Sequence, residues 1–110
     1  MTETDWGTIW DALPPGFPSY PGSTPTQTGS PAASAVLDVP ADVPTATSWL
    51  QDALERAGFS TLSLSGPAED GSMEIDSMGP TNQCRVRTTV APLGGATIVT
   101  ILYGAYCPPT

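Results

Sequence analysis

Residues 42–58, DVPTATSWLQDALERAG, decide the fold class. Ala46, Trp49, Leu50, Ala53, Leu54 and Ala57 recur at the spacing that gathers side chains onto one face of an α-helix. Asp42 or Thr45 supplies the side-chain oxygen for the N-cap, Pro44 is tolerated in the first turn, and Gly58 suits the left-handed position that closes the last turn. Gln51, Asp52, Glu55 and Arg56 fall on the opposite face. A helix with one apolar face and one charged face covers a sheet with the first and meets water with the second.

Short runs with period-two patterning follow: FSTLSLS, SMEIDSM, CRVRTTVA and ATIVTILYGAY, separated by GPAEDG, GPTNQ and PLGG. In them Leu62 and Leu64, Met73 and Ile75, and Cys84, Val86, Thr88 and Val90 alternate with polar neighbours, as where one sheet face packs on a helix and the other is wet. Hairpin connections make these neighbours antiparallel. The last run, with Ile98, Val99, Ile101, Leu102 and Tyr103, is apolar on both faces and reads as an inner strand. Before the helix, Ala35, Leu37 and Val39 alternate over a short strand that Pro40 stops. The order β-α-β-β-β-β predicts an α+β two-layer sandwich, one amphipathic helix on a mainly antiparallel sheet of four to five strands.

Residues 17–33 are rich in Pro, Ser, Thr and Gly and read as a linker, with too little apolar surface to offset chain entropy. Four regions result: an N-terminal segment 1–16, the linker 17–33, the α+β domain 34–107 and a tail 108–110. In the N-terminal segment Trp6, Ile9, Trp10 and Leu13 follow i, i+3, i+4, i+7, which predicts a short helix capped by Asp5 and ended by Pro14-Pro15. Its apolar stripe requires a covering surface, either its own domain or a partner, and these four residues are the candidate partner-binding set.

Eleven acidic residues against three arginines, with no lysine and no histidine, give a net charge of −8. Such a surface repels polyanions, so nucleic acid is not an expected partner. No stretch has the ~20 consecutive apolar residues of a membrane span, and MTETDWGTIW lacks the basic and apolar regions of a signal peptide, although a leader or anchor removed from the chain is compatible with this beginning. Without histidine or lysine, the usual general base and Schiff-base amine are missing, and no catalytic residue is assigned. Glu69, Asp70, Glu74 and Asp76 lie in and after a GPAEDG turn, where acids favour solvated loops; their spacing matches no dedicated calcium loop. No cofactor or metal is expected. Arg85 and Arg87 alternate onto one strand face, placed to pair with Glu74 and Asp76 across a hairpin.

Cys84 and Cys107 are too few for a zinc site without histidine, which leaves a disulfide or two buried thiols; the disulfide is expected. A hairpin centred near Leu93 to Gly95 brings both to one end of the sheet but a few residues out of register. A bulge, a wider turn or a reversal of the chain at Cys107 would close the gap.

The order of features resembles a loosely defined group of uncharacterised bacterial lipoproteins and anchored surface proteins, whose mature parts run from a P-x-YPG opening through a strand and a helix ending in aLxxaGw to a meander. The matching residues are Pro18, Tyr20, Pro21 and Gly22, then Ala53, Leu54, Ala57, Gly58 and Phe59, and the likeness spans Phe17 to Tyr103. It implies a location outside the cytoplasm, secreted or at the cell surface, and no particular activity. The expected function is a non-catalytic extracytoplasmic structural or protein-interaction domain, self-associating or a subunit of a larger cell-surface assembly. The alternative is a small-ligand or glycan-binding sensory module with a concave, aromatic-lined pocket.

Overall fold

The computed structural model describes residues 1–26, 32–79 and 83–108. Residues 27–31 of the predicted linker and 109–110 of the predicted tail lie outside the described residues. The elements run β1 (Thr2–Glu3), β2 (Thr8–Ile9), β3 (Thr24–Pro25), β4 (Ala35–Val39), α1 (Val43–Arg56), β5 (Ser60–Ser65), β6 (Met73–Met78), β7 (Arg85–Leu93) and β8 (Ala96–Tyr103). β3 to β8 form one sheet in the order β3-β4-β8-β7-β6-β5, every pairing antiparallel, while β1 and β2 pair with each other.

The α+β class is as expected; the sheet is larger than four to five strands because β3 arises inside the predicted linker and adds an edge beside β4. β8 takes the inner position that its two apolar faces demand, between β4 and β7. The Gly94-Gly95 turn joins β7 to β8 with Leu93 opposite Ala96, and both glycines have positive φ (57° and 85°), the backbone a two-residue hairpin turn requires.

α1 starts where Asp42 accepts a hydrogen bond from the Thr45 N–H at 2.9 Å, which fixes Asp42 as the N-cap. That bond, more than anything else, holds the exposed Asp42 carboxyl below its usual pKa. The helix packs over β5, β6 and β7. Its buried arc is Ala46, Thr47, Leu50, Ala53 and Leu54. Trp49 is half-buried, and Ala57, expected on the apolar face, is exposed because it caps the helix C-terminus beyond the last packed turn. Under the helix lie Leu37, Val39, Ile75, Val86, Val90, Val99, Ile101 and Tyr103, contributed by four strands. The same layer buries the hydroxyls of Thr47, Ser77 and Thr88 without hydrogen-bond partners, a cost the core bears.

The N-terminal segment is not helical. Thr4 to Gly7 turn the chain between β1 and β2, and Gly7 has a φ of 148°. A run this short is a marginal helix in water, and Gly7 inside it lowers that margin further. Extended backbone instead finds hydrogen-bond partners at the end of β8: Ile9 bridges Gly104, the Trp10 N–H donates to the Tyr103 carbonyl, and the Ala105 N–H donates to the Thr8 carbonyl, both at 2.9 Å. Ile9 is fully buried as a result. Trp10 and Leu13 pack against the core, and the Trp10 indole N–H donates to the Cys107 carbonyl at 3.0 Å. The Ser34 hydroxyl fastens this segment to the sheet, donating to the Trp10 carbonyl and accepting from the Tyr103 N–H.

The described part of the predicted linker is likewise packed. Phe17 meets Phe59 and Tyr103 edge-on, with centroids 5.7 and 5.6 Å away, and Tyr20 meets Trp49 at 5.3 Å. Aromatic rings give a Pro/Ser/Thr-rich stretch enough apolar surface to dock where composition alone argues for a spacer.

Cys84 and Cys107 form a disulfide. Of the three routes open to it, the chain takes the reversal: after β8 the Cys107 N–H bonds the Gly104 carbonyl, so Cys107 swings back toward Cys84. Gly104 is obligatory there, because a Cβ would lie 2.6 Å from the Arg85 carbonyl oxygen.

Two stability measurements check this account. Ile9→Ala is expected to cost about 3 kcal/mol in urea-induced unfolding; a freely hanging N-terminal segment would give a loss near zero. The double variant Cys84→Ala/Cys107→Ala is expected to lose about 3 kcal/mol, the chain-entropy value for a loop of this length, with a correspondingly lower melting temperature.

Candidate functional site

The sheet has one face under α1 and one face free of it. Strand alternation and register place Val36 on β4, Thr100 and Leu102 on β8, Arg87 and Thr89 on β7, and Glu74 and Asp76 on β6 on the helix-free side. They meet as cross-strand neighbours, with Asp76 opposite Arg87, Glu74 opposite Thr89, Arg87 opposite Leu102, and Thr100 between Thr89 and Val36. An open sheet face is normally flat. Here the β1–β2 turn, anchored by Ile9, stands over it, and Thr4, Asp5 and Trp6 wall a cleft of about 420 Å³.

A guanidinium forms one side of the cleft. Arg87 donates from Nε to Asp76 Oδ1 at 2.9 Å and from Nη2 to Asp76 Oδ2 at 3.3 Å, the two-point geometry in which Arg binds a carboxylate best. Glu74 lies 3.6 Å from the same Nη2, and the Ser63 hydroxyl donates to Asp76 from β5. The Trp6 ring covers the guanidinium, its centroid 5.9 Å from Cζ. The hydrogen bond to Asp76 raises the Arg87 pKa above its ordinary value, against the opposing effect of partial burial. Arg87 is therefore a permanent cation here, matched by one close and one looser carboxylate. The cluster suits recognition of hydroxyl, amide or cationic groups through Glu74, Thr89 and Thr100.

The structure divides the four stripe residues. Trp6 is at the cleft, whereas Ile9, Trp10 and Leu13 are committed to their own domain as described above. Arg87 pairs with both Glu74 and Asp76 as the alternation anticipates. Arg85 faces Met78 across the hairpin and stays exposed, lining a smaller cleft with Trp6 and Tyr106. Glu69 and Asp70 remain in an exposed turn, where Asp70 accepts from the Ser72 N–H at 2.9 Å, and they do not join Glu74 and Asp76. Among the described residues no group of three or more acidic, Cys or His side chains is placed to hold a metal ion. Tyr103 is buried under the helix layer, where burial pushes its phenol pKa up.

Val36, Thr89 and Thr100 carry no site signal in the sequence, and Leu102 reads there only as part of an apolar inner strand. Each is the off-phase member of an alternating strand, and only the register of β4, β8, β7 and β6 shows that they share one wall. Nothing in the order of residues signals that Trp6 would lie over Arg87, 81 positions later in the chain.

The Arg87–Asp76 pair admits a direct test. Asp76 keeps 13% of its side chain exposed and Arg87 32%. Arg87→Ala is therefore expected to lower unfolding stability by about 1.5 kcal/mol, less than for a fully buried pair because water screens the guanidinium. Adding Asp76→Ala should return part of that loss, since the stranded carboxylate is removed as well, and a double-mutant cycle reads the coupling.

No family model, curated protein or solved structure matches the chain.

Proposed function

We propose that this chain is a non-catalytic binding domain working outside the cytoplasm, a subunit or adaptor of a cell-surface assembly, and that it meets its protein partner at the cleft between Trp6 and Arg87. The observation that carries this reading is Trp6 itself. Of the stripe Trp6, Ile9, Trp10 and Leu13, it alone is not packed into or against the core, and it lies over a guanidinium on the wall of a cleft. Trp and Arg are the side chains most often responsible for binding energy at protein interfaces, particularly when desolvated in a pocket. With a net charge of −8, the chain favours a partner that inserts a neutral polar or basic group beside Glu74.

One observation supports the location. The domain is stapled by a disulfide, which persists in oxidising compartments. No helix among the described residues is long and apolar enough to cross a membrane. The absence of histidine and lysine from the sequence supports the non-catalytic assignment.

A second reading, a small-ligand or glycan-binding module, is favoured by the cleft's size and lining. About 420 Å³ falls within the range of small-molecule sites, and a tryptophan with a paired arginine and three threonines is a lining suited to a sugar.

Cross-linking and mass spectrometry in the native source, comparing the wild-type chain with Trp6→Ala, decides between them. Loss of at least ten-fold of the cross-links to one partner, with the melting temperature kept, is the expected outcome. Unchanged cross-links would remove the cleft from the interface. Saturable quenching of tryptophan fluorescence by a monosaccharide or oligosaccharide, lost in Trp6→Ala, would favour the second reading.

A further inference from the structure

The two edges of the six-stranded sheet are built differently. At one end β3 is two residues long and ends in Pro25, which has no N–H to offer a neighbouring strand. At the other end β5 runs six residues, Ser-Thr-Leu-Ser-Leu-Ser, with no proline and no charge. Short strands, prolines, charges and bulges are the usual ways of blocking edge-to-edge pairing; β3 is both short and ended by proline, whereas β5 has only a single bulge. One row of β5 backbone N–H and C=O groups faces away from β6. Leu62 and Leu64 beside it are 48% and 45% exposed, on a chain whose surface is otherwise strongly acidic. The register steps between Thr61, opposite Ser77, and Ser63, opposite Asp76, so Leu62 is the extra residue of a bulge and has no partner in β6.

The residue order of β5 indicates what covers it. Thr61-Leu62-Ser63-Leu64-Ser65 reads almost identically in both directions about Ser63. An antiparallel strand of the same sequence, centred there, sets Leu62 against Leu64, Leu64 against Leu62, Thr61 against Ser65, and Ser63 against itself. That is the self-complementarity a two-fold interface demands, where one patch must fit its own copy. Next to Leu64, α1 and the loop after β5 leave an apolar recess of about 410 Å³ lined by Val43, Pro44, Thr47, Pro67 and Met73, within reach of a leucine on the added strand.

We propose that two copies of this chain associate through antiparallel pairing of β5 with β5, on a two-fold axis at Ser63, joining their six-stranded sheets into one. Backbone hydrogen bonds and the four leucines hold the pair. The net charge of each copy, with Glu55 bonded to Thr61 and with Glu69 and Asp70 in the following turn, opposes it. Salt therefore tightens this dimer by screening like charges, the reverse of its effect on an ion-pair interface.

Sedimentation of the full chain at about 20 mM and about 500 mM salt, conditions that straddle the Debye length of physiological buffer, tests the proposal together with two variants. The expected result is a monomer–dimer equilibrium shifted at least five-fold toward dimer at the higher salt. Leu62→Lys/Leu64→Lys makes the chain less acidic, so general charge repulsion would predict tighter association; strand pairing predicts a monomer with an unchanged circular dichroism spectrum. Ser63→Cys places two thiols opposite each other across the axis and should yield a covalent dimer on mild oxidation. Ser19→Cys, an exposed position outside β5, should not. A wild-type chain monomeric at both salts, a dimer that survives the lysine substitutions with its fold intact, or Ser63→Cys cross-linking no faster than Ser19→Cys each overturns the proposal. The monomeric outcome would leave the β5 edge to an extended segment of a different protein.

Discussion

The reversal of the chain at Gly104 to Cys107 is the constraint from which the rest of the molecule hangs. Gly104 is the one residue type that fits against the Arg85 carbonyl, and its N–H bonds that same carbonyl at 2.9 Å. From there the chain turns back, Cys107 reaches Cys84, and the Cys107 carbonyl becomes available to the indole N–H of Trp10. The same turn leaves backbone groups at the end of β8 free for Thr8 to Trp10. Had β8 simply run on, the N-terminal segment would have no ladder to join, and the Thr4–Gly7 turn would have no fixed position over the sheet.

This arrangement compensates for a small core. One 14-residue helix and a sheet of short strands bury few large side chains, so the protein recruits apolar groups from a segment whose composition is that of a spacer. Ile9, Trp10, Leu13, Phe17 and Tyr20 extend the core from the outside, and the disulfide restricts the unfolded chain. The stretch before the domain is thus an integral layer of it.

Charge and shape then divide the surface into parts with distinct chemistry. The helix side is sealed by apolar packing. The opposite face sets Arg87 with Glu74 and Asp76 beside a cleft walled by Trp6, and the β5 edge is uncharged and exposes leucines and unpaired backbone. The cleft and the β5 edge lie on different parts of the surface.

The sequence by itself determined the elements whose signals are local. α1 with its Asp42 cap, the alternating strands, the Gly94-Gly95 hairpin and the inner position of β8 follow from periodicity and turn chemistry, because those depend on residues within one or two turns of one another. The Arg87–Asp76 pairing was legible from strand alternation, and the cysteine pair from two cysteines at one end of a hairpin, whereas the reversal that closes the gap between them came only with the folded chain. Tertiary structure alone decided the fate of residues 1–26. Trp6, Ile9, Trp10 and Leu13 have the spacing of a helix, but so short a segment gains less from its own hydrogen bonds than from the backbone of β8, and Phe17 and Tyr20 find aromatic partners far along the chain. The cleft belongs to that second category. Its walls come from β4, β6, β7, β8 and the N-terminal turn, and side chains so distant in sequence share a surface only once sheet order and long-range packing have been fixed.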